Sequence, residues 1–389
     1  MLTQYDEYPV HQSPYPFSQI PSTDISWDDG YFQAVWSVEH RIYLTMSMRI
    51  NANTDIIGGS VILSFNEKQY AIRLSRVWRP DCDTRIGPLR FRFVEPFKHL
   101  LLTLDANDSP LSFELNWRGV APPFLEDHHL QVWRGRRITD QSRYVQVGAP
   151  DGWIQIGERT FEVTPDKWGG SRDHSWGLYE SRRPLADLRE FLPPGKPPSE
   201  RALRFWTMFK FDTYSGFFSI REDKYGVCRD FPNEMDGKSF EGLLNYGWEG
   251  KEIQLSSARH EIVFKEGTRI PIRGKVSLKD VDGNSWFQEF EICTTPFVMA
   301  ASGRSIGGWS DGGHVHTYHG EGAVLEWEEI DISEMPMVAY KTKEKQEVKG
   351  TLIYGAKVRM TDPKGFTCEG MQHITLAITG EYQPYGFKE

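Results

Sequence analysis

Hydrophobic and polar residues alternate with a period of two along most of the chain. Such alternation is typical of β-strands that bury one face. In the first half it covers Ile42–Ile50, Gly59–Phe65, Gln69–Leu74, Ser112–Trp117 and Trp153–Ile156. In the second half it covers Arg204–Asp212, Gly216–Glu222, His260–Lys265, Ile272–Leu278, Trp286–Ile292, Ala356–Thr361 and Gln372–Thr379. The pattern predicts an all-β, antiparallel protein with at least about fourteen strands and little helix.

Turn-forming residues separate these stretches. Asp282-Gly283-Asn284 stands between two alternating segments and predicts a hairpin, and Asn66-Glu67-Lys68 and Glu266-Gly267 have similar turn chemistry. Two closed or nearly closed barrels fit this number of strands, because closure removes exposed sheet edges. A pair of jelly rolls or sandwiches gives nearly the same pattern, and strand spacing alone does not separate the two architectures.

One segment interrupts the strand pattern near the middle of the chain. Pro184–Leu192 has a proline at its start and leucines spaced for one helix face, which predicts a short helix. Pro193–Pro198 can neither continue a helix nor enter a central strand. We therefore expect a linker or lid at 181–200, between an N-terminal domain at 1–180 and a C-terminal domain at 201–389.

Composition narrows the class of protein. The chain has 389 residues, 39% of them hydrophobic, which is enough for two cores, and its net charge of −9 argues against a nucleic-acid partner. Aromatic residues make up 13% and suit the walls of an apolar ligand pocket. The four cysteines occur singly, without the close pairs of a zinc knuckle. The N-terminus lacks a signal-peptide pattern and no long apolar run follows, so we expect a cytoplasmic protein without a membrane span.

Residues 168–177, WGGSRDHSWG, bring an acid, a base, a guanidinium and two indoles together. In an extended strand Arg172, His174 and Trp176 share one face while Asp173 lies on the other, so we expect the glycines to bend the chain. An acid close to an imidazole can set its pKa and tautomer, as proton transfer requires. The alternative is a buried Arg–Asp pair and a hydrogen-bonded histidine that hold one barrel against the other.

This segment, preceded by Gly152–Gly157, resembles the carotenoid 1,2-hydratase and AttH-like family, whose hallmark is the run Arg-Asp-His-Ser-Trp-Gly found at Arg172–Gly177. The resemblance extends from about Trp27 to the C-terminus. It implies two tandem lipocalin-like antiparallel β-barrels with a cavity for a hydrophobic substrate. It also implies activities that range from hydration of isoprenoid double bonds to pericyclic reactions.

The resemblance also implies roles for individual residues. In the hydratases the His and Trp of this run act with a Tyr-x-Asp on a following strand, whose Asp donates the proton. These roles carry over to His174, Trp176 and Asp212, whereas Lys210 stands at the tyrosine position and departs from the family pattern. The alternatives are an exposed Asp212 in a turn and a solvated Lys210.

Two further histidines are candidates for a pocket or a metal. His314 and His316 lie two residues apart and share one face of an extended segment, a geometry that metal sites use. Apart from Asp311 and Glu321, no carboxylate has a matching close spacing, so we expect the two histidines to donate hydrogen bonds in the pocket and expect no metal. The chain has no dinucleotide loop, no phosphate loop and no nucleophile elbow, so we expect no cofactor.

Together these features predict a cofactor-independent lyase or isomerase that acts on a hydrophobic small molecule, such as a terpenoid, polyene, steroid-like or lignin-like compound. We expect Asp173 or Asp212 to be the acid and His174 its partner. The expected substrate-binding residues are Arg172, Trp168, Trp176, Trp206, Phe209, Lys210, His314 and His316. The alternative function is a lipocalin-like carrier that binds an apolar ligand without changing it.

Overall fold

The structure is a computed structural model that describes residues 2, 9, 13–179, 199–231, 234, 237–299, 309–311, 313, 318, 320–333, 340–341, 347–348 and 352–388. These residues form 25 strands and one 3-10 turn, and every stretch that the alternation predicted as a strand lies within or overlaps one of them. The strands form two large antiparallel sheets and one two-stranded ribbon. The prediction of an all-β, antiparallel, barrel-like fold is confirmed.

The strands follow one another along the chain with these bounds: β1 Trp27–Ser37, β2 Ile42–Asn51, β3 Ile56–Phe65, β4 Lys68–Val77, β5 Arg85–Ile86, β6 Leu89–Glu95, β7 His99–Leu104, β8 Leu111–Gly119, β9 Phe124–Leu125, β10 His129–Trp133, β11 Arg136–Ile156, β12 Arg159–Val163, β13 Trp168–Tyr179, β14 Arg201–Lys210, β15 Ser215–Asp223, β16 Phe240–Asn245, β17 Glu252–Phe264, β18 Pro271–Asp280, β19 Ser285–Ile292, β20 Phe297–Val298, β21 Val324–Asp331, β22 Tyr340–Lys341, β23 Glu347–Val348, β24 Leu352–Thr361 and β25 Thr367–Ile378. The 3-10 turn is Gln383–Tyr385.

The first sheet forms a nearly closed barrel. Its strands pair in the order β21-β4-β3-β2-β1-β13-β11-β8-β7-β6-β5, with β9, β10 and β12 added along β11. β5, at one end of this path, lies against β3 and β4. The interior is filled by alternate residues of these strands, among them Leu44, Met46, Leu102, Leu115 and Trp117.

The second sheet forms a closed barrel of eight strands. Its order is β19-β18-β17-β16-β15-β14-β25-β24, and pairing of β19 with β24 closes the ring. β20 adds to β24. The turn at Asp282-Gly283-Asn284 joins β18 to β19, as the sequence predicted, and Gly283 has a φ of 86°, a left-handed conformation that favours glycine. The core of this barrel is rich in phenylalanine, including Phe205, Phe209 and Phe218.

One strand does not follow the order of the two halves. β21 lies beyond residue 201, in the part of the chain assigned to the C-terminal domain, yet it pairs with β4 of the first barrel over Val324–Asp331. Arg73 of β4 is buried and forms ion pairs with Asp311 and Glu326. The predicted helix at 184–192 and most of the predicted linker lie outside the described residues.

The outer face of the first barrel packs against the second barrel through aromatic side chains. The Trp36 indole lies against the backbone of Gly169 on one side and of Gly355 on the other, and an added Cβ at either glycine would come within 2.4 Å of the ring. His373 of β25 bonds to Tyr43 and Ser171 of the first barrel, at 2.8 and 3.0 Å. The two barrels therefore share a buried contact that includes polar groups.

Candidate active site

One face of β13 runs from the mouth of the first barrel to its core. Trp176 is 36% exposed, the His174 side chain is 17% exposed and Arg172 is 1% exposed. Trp168, further along the same face, is fully buried. Alternate residues of a strand point to the same side, so these four side chains line the barrel interior at increasing depth.

His174 forms a hydrogen-bonded pair with a carboxylate at the mouth. Its Nε2 lies 2.7 Å from Oδ1 of Asp29, whose side chain is 44% exposed. The ring stacks on Tyr31 with centroids 4.2 Å apart and meets the edge of Tyr144 at 5.3 Å. In register, Tyr31 of β1 and Tyr144 of β11 stand directly across from His174 on its two neighbouring strands. The strand pairing therefore places an aromatic ring on each side of this imidazole.

More aromatic side chains extend this surround towards solvent. Phe93 packs against Tyr31 at 5.1 Å and Phe97 against Tyr144 at 5.4 Å, and both phenylalanines are partly exposed. Trp176 lies 5.1 Å from the His174 ring. We call the group Tyr31, Phe93, Phe97, Tyr144 and Trp176 the aromatic rim. An exposed cluster of this kind is a suitable surface for a flat or apolar molecule.

Arg172 lies one step deeper than His174 and is held by neutral groups. Its Nε and Nη2 donate to Oε1 of Gln146 at 2.9 and 2.7 Å. The guanidinium also lies over the rings of Trp117 and Tyr144, at 4.9 and 5.3 Å from their centroids. Burial lowers the pKa of Arg172, and burial likewise raises the pKa of Tyr144. In the described part of the chain no carboxylate pairs with this cation.

Two glycines explain how Trp117 comes to lie beneath the guanidinium. Gly148 and Gly170 face each other in register across β11 and β13. An added Cβ would come within 2.2 Å of the Trp117 ring at Gly148 and within 2.8 Å at Gly170. Gly169 makes room for Trp36 in the same way on the opposite face. Gly169 and Gly170 do not bend the chain as expected: the pairing of β13 continues past them without a register shift, and they give space to two indoles. Gly177 differs, because its φ of 126° lies in the region that favours glycine.

Asp173 is not the partner of His174 that the sequence analysis expected. It lies on the opposite face of β13, across from Phe32 and Val145. The reason is the twofold alternation of the strand, which the glycines do not interrupt. The carboxylate that reaches His174 comes instead from Asp29 on the neighbouring strand.

Lys210 and Asp212 belong to a different region. They line an open groove of about 1110 Å³ beside the second barrel, next to Pro165 and Asp166. Lys210 Nζ donates to the Pro165 carbonyl at 2.5 Å, and burial lowers the pKa of this lysine. Residues 165–167 precede β13, whereas His174 lies about 20 Å further along that strand at 3.3 Å per residue. The structure does not bring Asp212 to His174.

The other expected wall residues are also dispersed. Trp168 donates from Nε1 to the Glu162 carbonyl at 3.0 Å, in the core of the first barrel. Trp206 lies between the barrels and donates to Glu126 at 3.2 Å. Phe209 is in the core of the second barrel. Of the expected residues, Arg172, His174 and Trp176 lie together near the mouth, and Trp168 lies on the same face in the core.

His314 and His316 lie outside the described residues. Within the described ranges no group of three or more His, Cys, Asp and Glu side chains is arranged to hold a metal ion. In the same ranges no helix has the length and apolar character needed to cross a bilayer.

The sequence analysis missed the partners that neighbouring strands contribute. Asp29, Tyr31 and Gln33 alternate along β1 and share one face with His174, and Tyr144 and Gln146 do so on β11. The signal that could have found them is the alternation of polar and aromatic residues within Trp27–Ser37. Pairing of β1 and β11 with β13 joins residues far apart in sequence, which spacing alone does not reveal.

Fold and site together define a two-barrel β protein with a His–Asp pair at the mouth of its first barrel. The chain belongs to a family of unknown function, DUF8625, whose model matches residues 2–388. No curated protein matches the sequence.

Two solved structures show similarity over most of the chain. CghA, crystallised with Sch210972, has a TM-score of 0.47 and 8% identity, over 92% of this chain and 89% of that chain. Kievitone hydratase from Nectria haematococca has a TM-score of 0.45 and 8% identity, over 97% of this chain and 96% of that chain. The resemblance to carotenoid 1,2-hydratases stays a prediction that rests on Arg172–Gly177.

Proposed function

We propose that the protein is a cofactor-independent enzyme of the lyase or isomerase type, which transfers a proton on a hydrophobic small molecule bound at the aromatic rim. The observation that carries this proposal is the contact of 2.7 Å between His174 Nε2 and Asp29 Oδ1, inside a surround of aromatic rings. A carboxylate that orients an imidazole is a recurrent arrangement for acid–base catalysis.

The hydrogen bond determines which nitrogen reacts. When Nε2–H donates to Asp29, the neutral ring carries its lone pair on Nδ1, which is then the base. Nδ1 takes a proton from a substrate carbon, and the C–H electron pair forms a double bond. The proton returns to another carbon in an isomerisation, or to a departing hydroxyl that leaves as water in a dehydration. Asp29 stabilises the imidazolium formed between these steps.

The aromatic rim supports the proposed substrate class. Tyr31, Tyr144 and Trp176 contact the partly exposed imidazole, and two phenylalanines extend this apolar surface. An apolar or aromatic molecule bound there would cover the ring and exclude water from it. The indole of Trp176 also offers a face to a developing positive charge.

A second pair of the same kind provides a comparison within the chain. His128 Nε2 lies 2.7 Å from Asp140 Oδ1, as close as in the His174 pair. However, the His128 side chain is 53% exposed, and Asp140 also binds Arg137 at 2.6 Å. The N–O distance therefore does not distinguish the two His–Asp pairs. The aromatic side chains around His174 do distinguish them.

Proton transfer can be tested by hydrogen exchange in heavy water. The purified protein is incubated in deuterated buffer with an apolar extract of its source cells, and mass spectrometry identifies compounds that gain deuterium. We expect wild-type-dependent exchange that falls roughly 10²-fold or more in H174A and in D29N. The matched controls H128A and D140N should exchange at the wild-type rate.

The carrier function makes a different prediction for the same variants. A carrier binds an apolar compound at the rim, so W176A weakens binding, H174A has almost no effect, and no compound gains deuterium. If the protein is an enzyme, W176A should lower both ligand affinity and the rate of deuterium exchange, because it removes part of the pocket wall together with the indole face. Retention of an unchanged ligand by the wild-type protein from about pH 5 to 9 would exclude catalysis.

A further inference from the structure

One buried charged group of the first barrel has no part in the proposed acid–base chemistry. Arg172 is 1% exposed, and it is held by the Gln146 amide oxygen and by two aromatic faces. Removing a guanidinium from water is unfavourable unless a counter-charge or enough hydrogen bonds replace the water. Within the described residues that counter-charge is missing, since none of the ion pairs involves Arg172.

Gln33 lies beside it in the same layer. It stands directly across from Arg172 in the register of β1 and β13 and is fully buried. Neither its amide nitrogen nor its amide oxygen has a hydrogen-bond partner in the part of the chain that the structure describes. Gln146, on the other side of Arg172, is satisfied, since it donates to the carbonyls of Phe97 and Ala121 at 2.9 and 2.7 Å.

A row of three polar side chains thus crosses three strands below the His174 ring. The two outer members differ: Gln146 positions Arg172, whereas Gln33 leaves an amide N–H unused beside the cation. A guanidinium that has only neutral partners, with an unused N–H donor beside it, is what an anionic oxygen needs, because charge-assisted hydrogen bonds are the strongest of their kind. Residues two apart in a strand are separated by about 7 Å, which is the length that a ligand with one aromatic ring would span between His174 and Arg172.

We propose that Arg172 and Gln33 form a subsite for an anionic oxygen, so that the ligand is an apolar or aromatic molecule with a carboxylate or an enolate oxygen. This inference extends the proposed function by naming a substrate class. The oxygen lies against Arg172 at the inner end, the apolar body lies at the aromatic rim, and the carbon that exchanges its proton lies between them beside His174.

Substitution of Arg172 and Gln33 separates an effect on ligand binding from an effect on stability. Q33L replaces a buried amide that has no hydrogen-bond partner in the described chain by an apolar side chain of similar size, so it should not lower stability. R172M removes the charge and also the two hydrogen bonds that Gln146 Oε1 accepts, so its stability is measured beside its binding. Q141L is the matched control. Gln141 is also fully buried with both amide atoms unpartnered in the described chain, but it lies on the opposite face of the sheet, across from Gly177.

The binding probes are benzoate and its neutral analogue benzyl alcohol, titrated calorimetrically into the full-length protein. We expect the wild type and Q141L to bind benzoate about 10-fold or more tightly than benzyl alcohol. R172M should lose this preference and keep its affinity for benzyl alcohol, and Q33L should lose part of it. Q33L and Q141L should unfold at a urea concentration equal to or above that of the wild type, whereas R172M should unfold at a lower one because it leaves the Gln146 amide oxygen without its donor.

Two results would overturn the subsite. One is equal binding of benzoate and benzyl alcohol by the wild type. The other is an R172M protein that is clearly less stable but prefers benzoate as before, which would make Arg172 a structural residue. H174Q separates the subsite from the proposed catalysis, because it should keep the benzoate preference while deuterium exchange is lost. A preference that depends on Arg172 without any exchange would refute the enzyme and leave the subsite standing.

Discussion

The acid stability of the protein should depend on one histidine between the barrels. His373 is completely buried, its Nδ1 contacts Tyr43 and Ser171, and its Nε2 contacts Thr375 at 3.1 Å. Burial, assisted by the nearby positive charge of Arg204, lowers its pKa from 6.5 to about 3. The folded protein therefore keeps this ring neutral at any pH above about 3.

The direction of the effect follows from proton uptake. Below pH 6.5 the unfolded chain binds a proton at His373 and the folded chain does not, so the free energy of unfolding decreases as the pH falls from 6.5 towards 3. For these two pKa values the loss is about 2 kcal/mol between about pH 7.5 and pH 5. This is a large part of the stability of an ordinary domain, which is about 5–15 kcal/mol.

The assay is urea unfolding at both pH values, followed by tryptophan fluorescence, for the wild type, H373Q and T375V. H373Q should be less stable at neutral pH but should lose about 2 kcal/mol less on acidification. T375V removes the contact to Nε2 without a titrating group, so its loss on acidification should match the wild type. Equal losses in wild type and H373Q, or a His373 NMR signal that titrates near pH 6.5 in the folded protein, would refute the reasoning.

Two further substitutions test packing and buried hydrogen bonding. G148A places a methyl group within 2.2 Å of the Trp117 ring and should lower the free energy of unfolding by about 1–3 kcal/mol. G322A, which meets no atom of the described residues within 4 Å, should be nearly neutral in the same urea experiment. Y382F removes a buried hydroxyl that donates to Glu222 and should lower the thermal midpoint in calorimetry, at a cost of about 1–3 kcal/mol, and an unchanged midpoint would contradict that role.

The fold could be predicted from the sequence to a large extent because alternation is a local signal. The stretch Ile42–Ile50 shows this, since its period of two is visible without its neighbours and it forms β2. β21 could not be predicted in the same way. Its membership of the first sheet depends on pairing with β4, some 250 residues earlier in the chain, and nothing local to Val324–Asp331 specifies that partner.

The candidate site shows the same division. The face shared by Arg172, His174 and Trp176 followed from strand geometry and is found in the structure. The carboxylate that pairs with His174 could not be predicted in this way. Proximity in the sequence favoured Asp173, but the alternation of the strand places Asp173 on the opposite face. Asp29 became the partner of His174 through the pairing of β1 with β13, a contact between residues 145 positions apart.

The crossing of β21 into the first barrel has a consequence for synthesis on the ribosome. When residue 179 has emerged, every strand of that barrel except β21 is available, but β4 then presents an unpaired edge, which invites pairing with other chains. This edge is covered only after Asp331 leaves the exit tunnel, when much of the second barrel has also emerged. During synthesis the first barrel therefore has an unpaired β4 edge until β21 has emerged. A chain that ends near residue 180 would lack β21, and its β4 edge would stay unpaired.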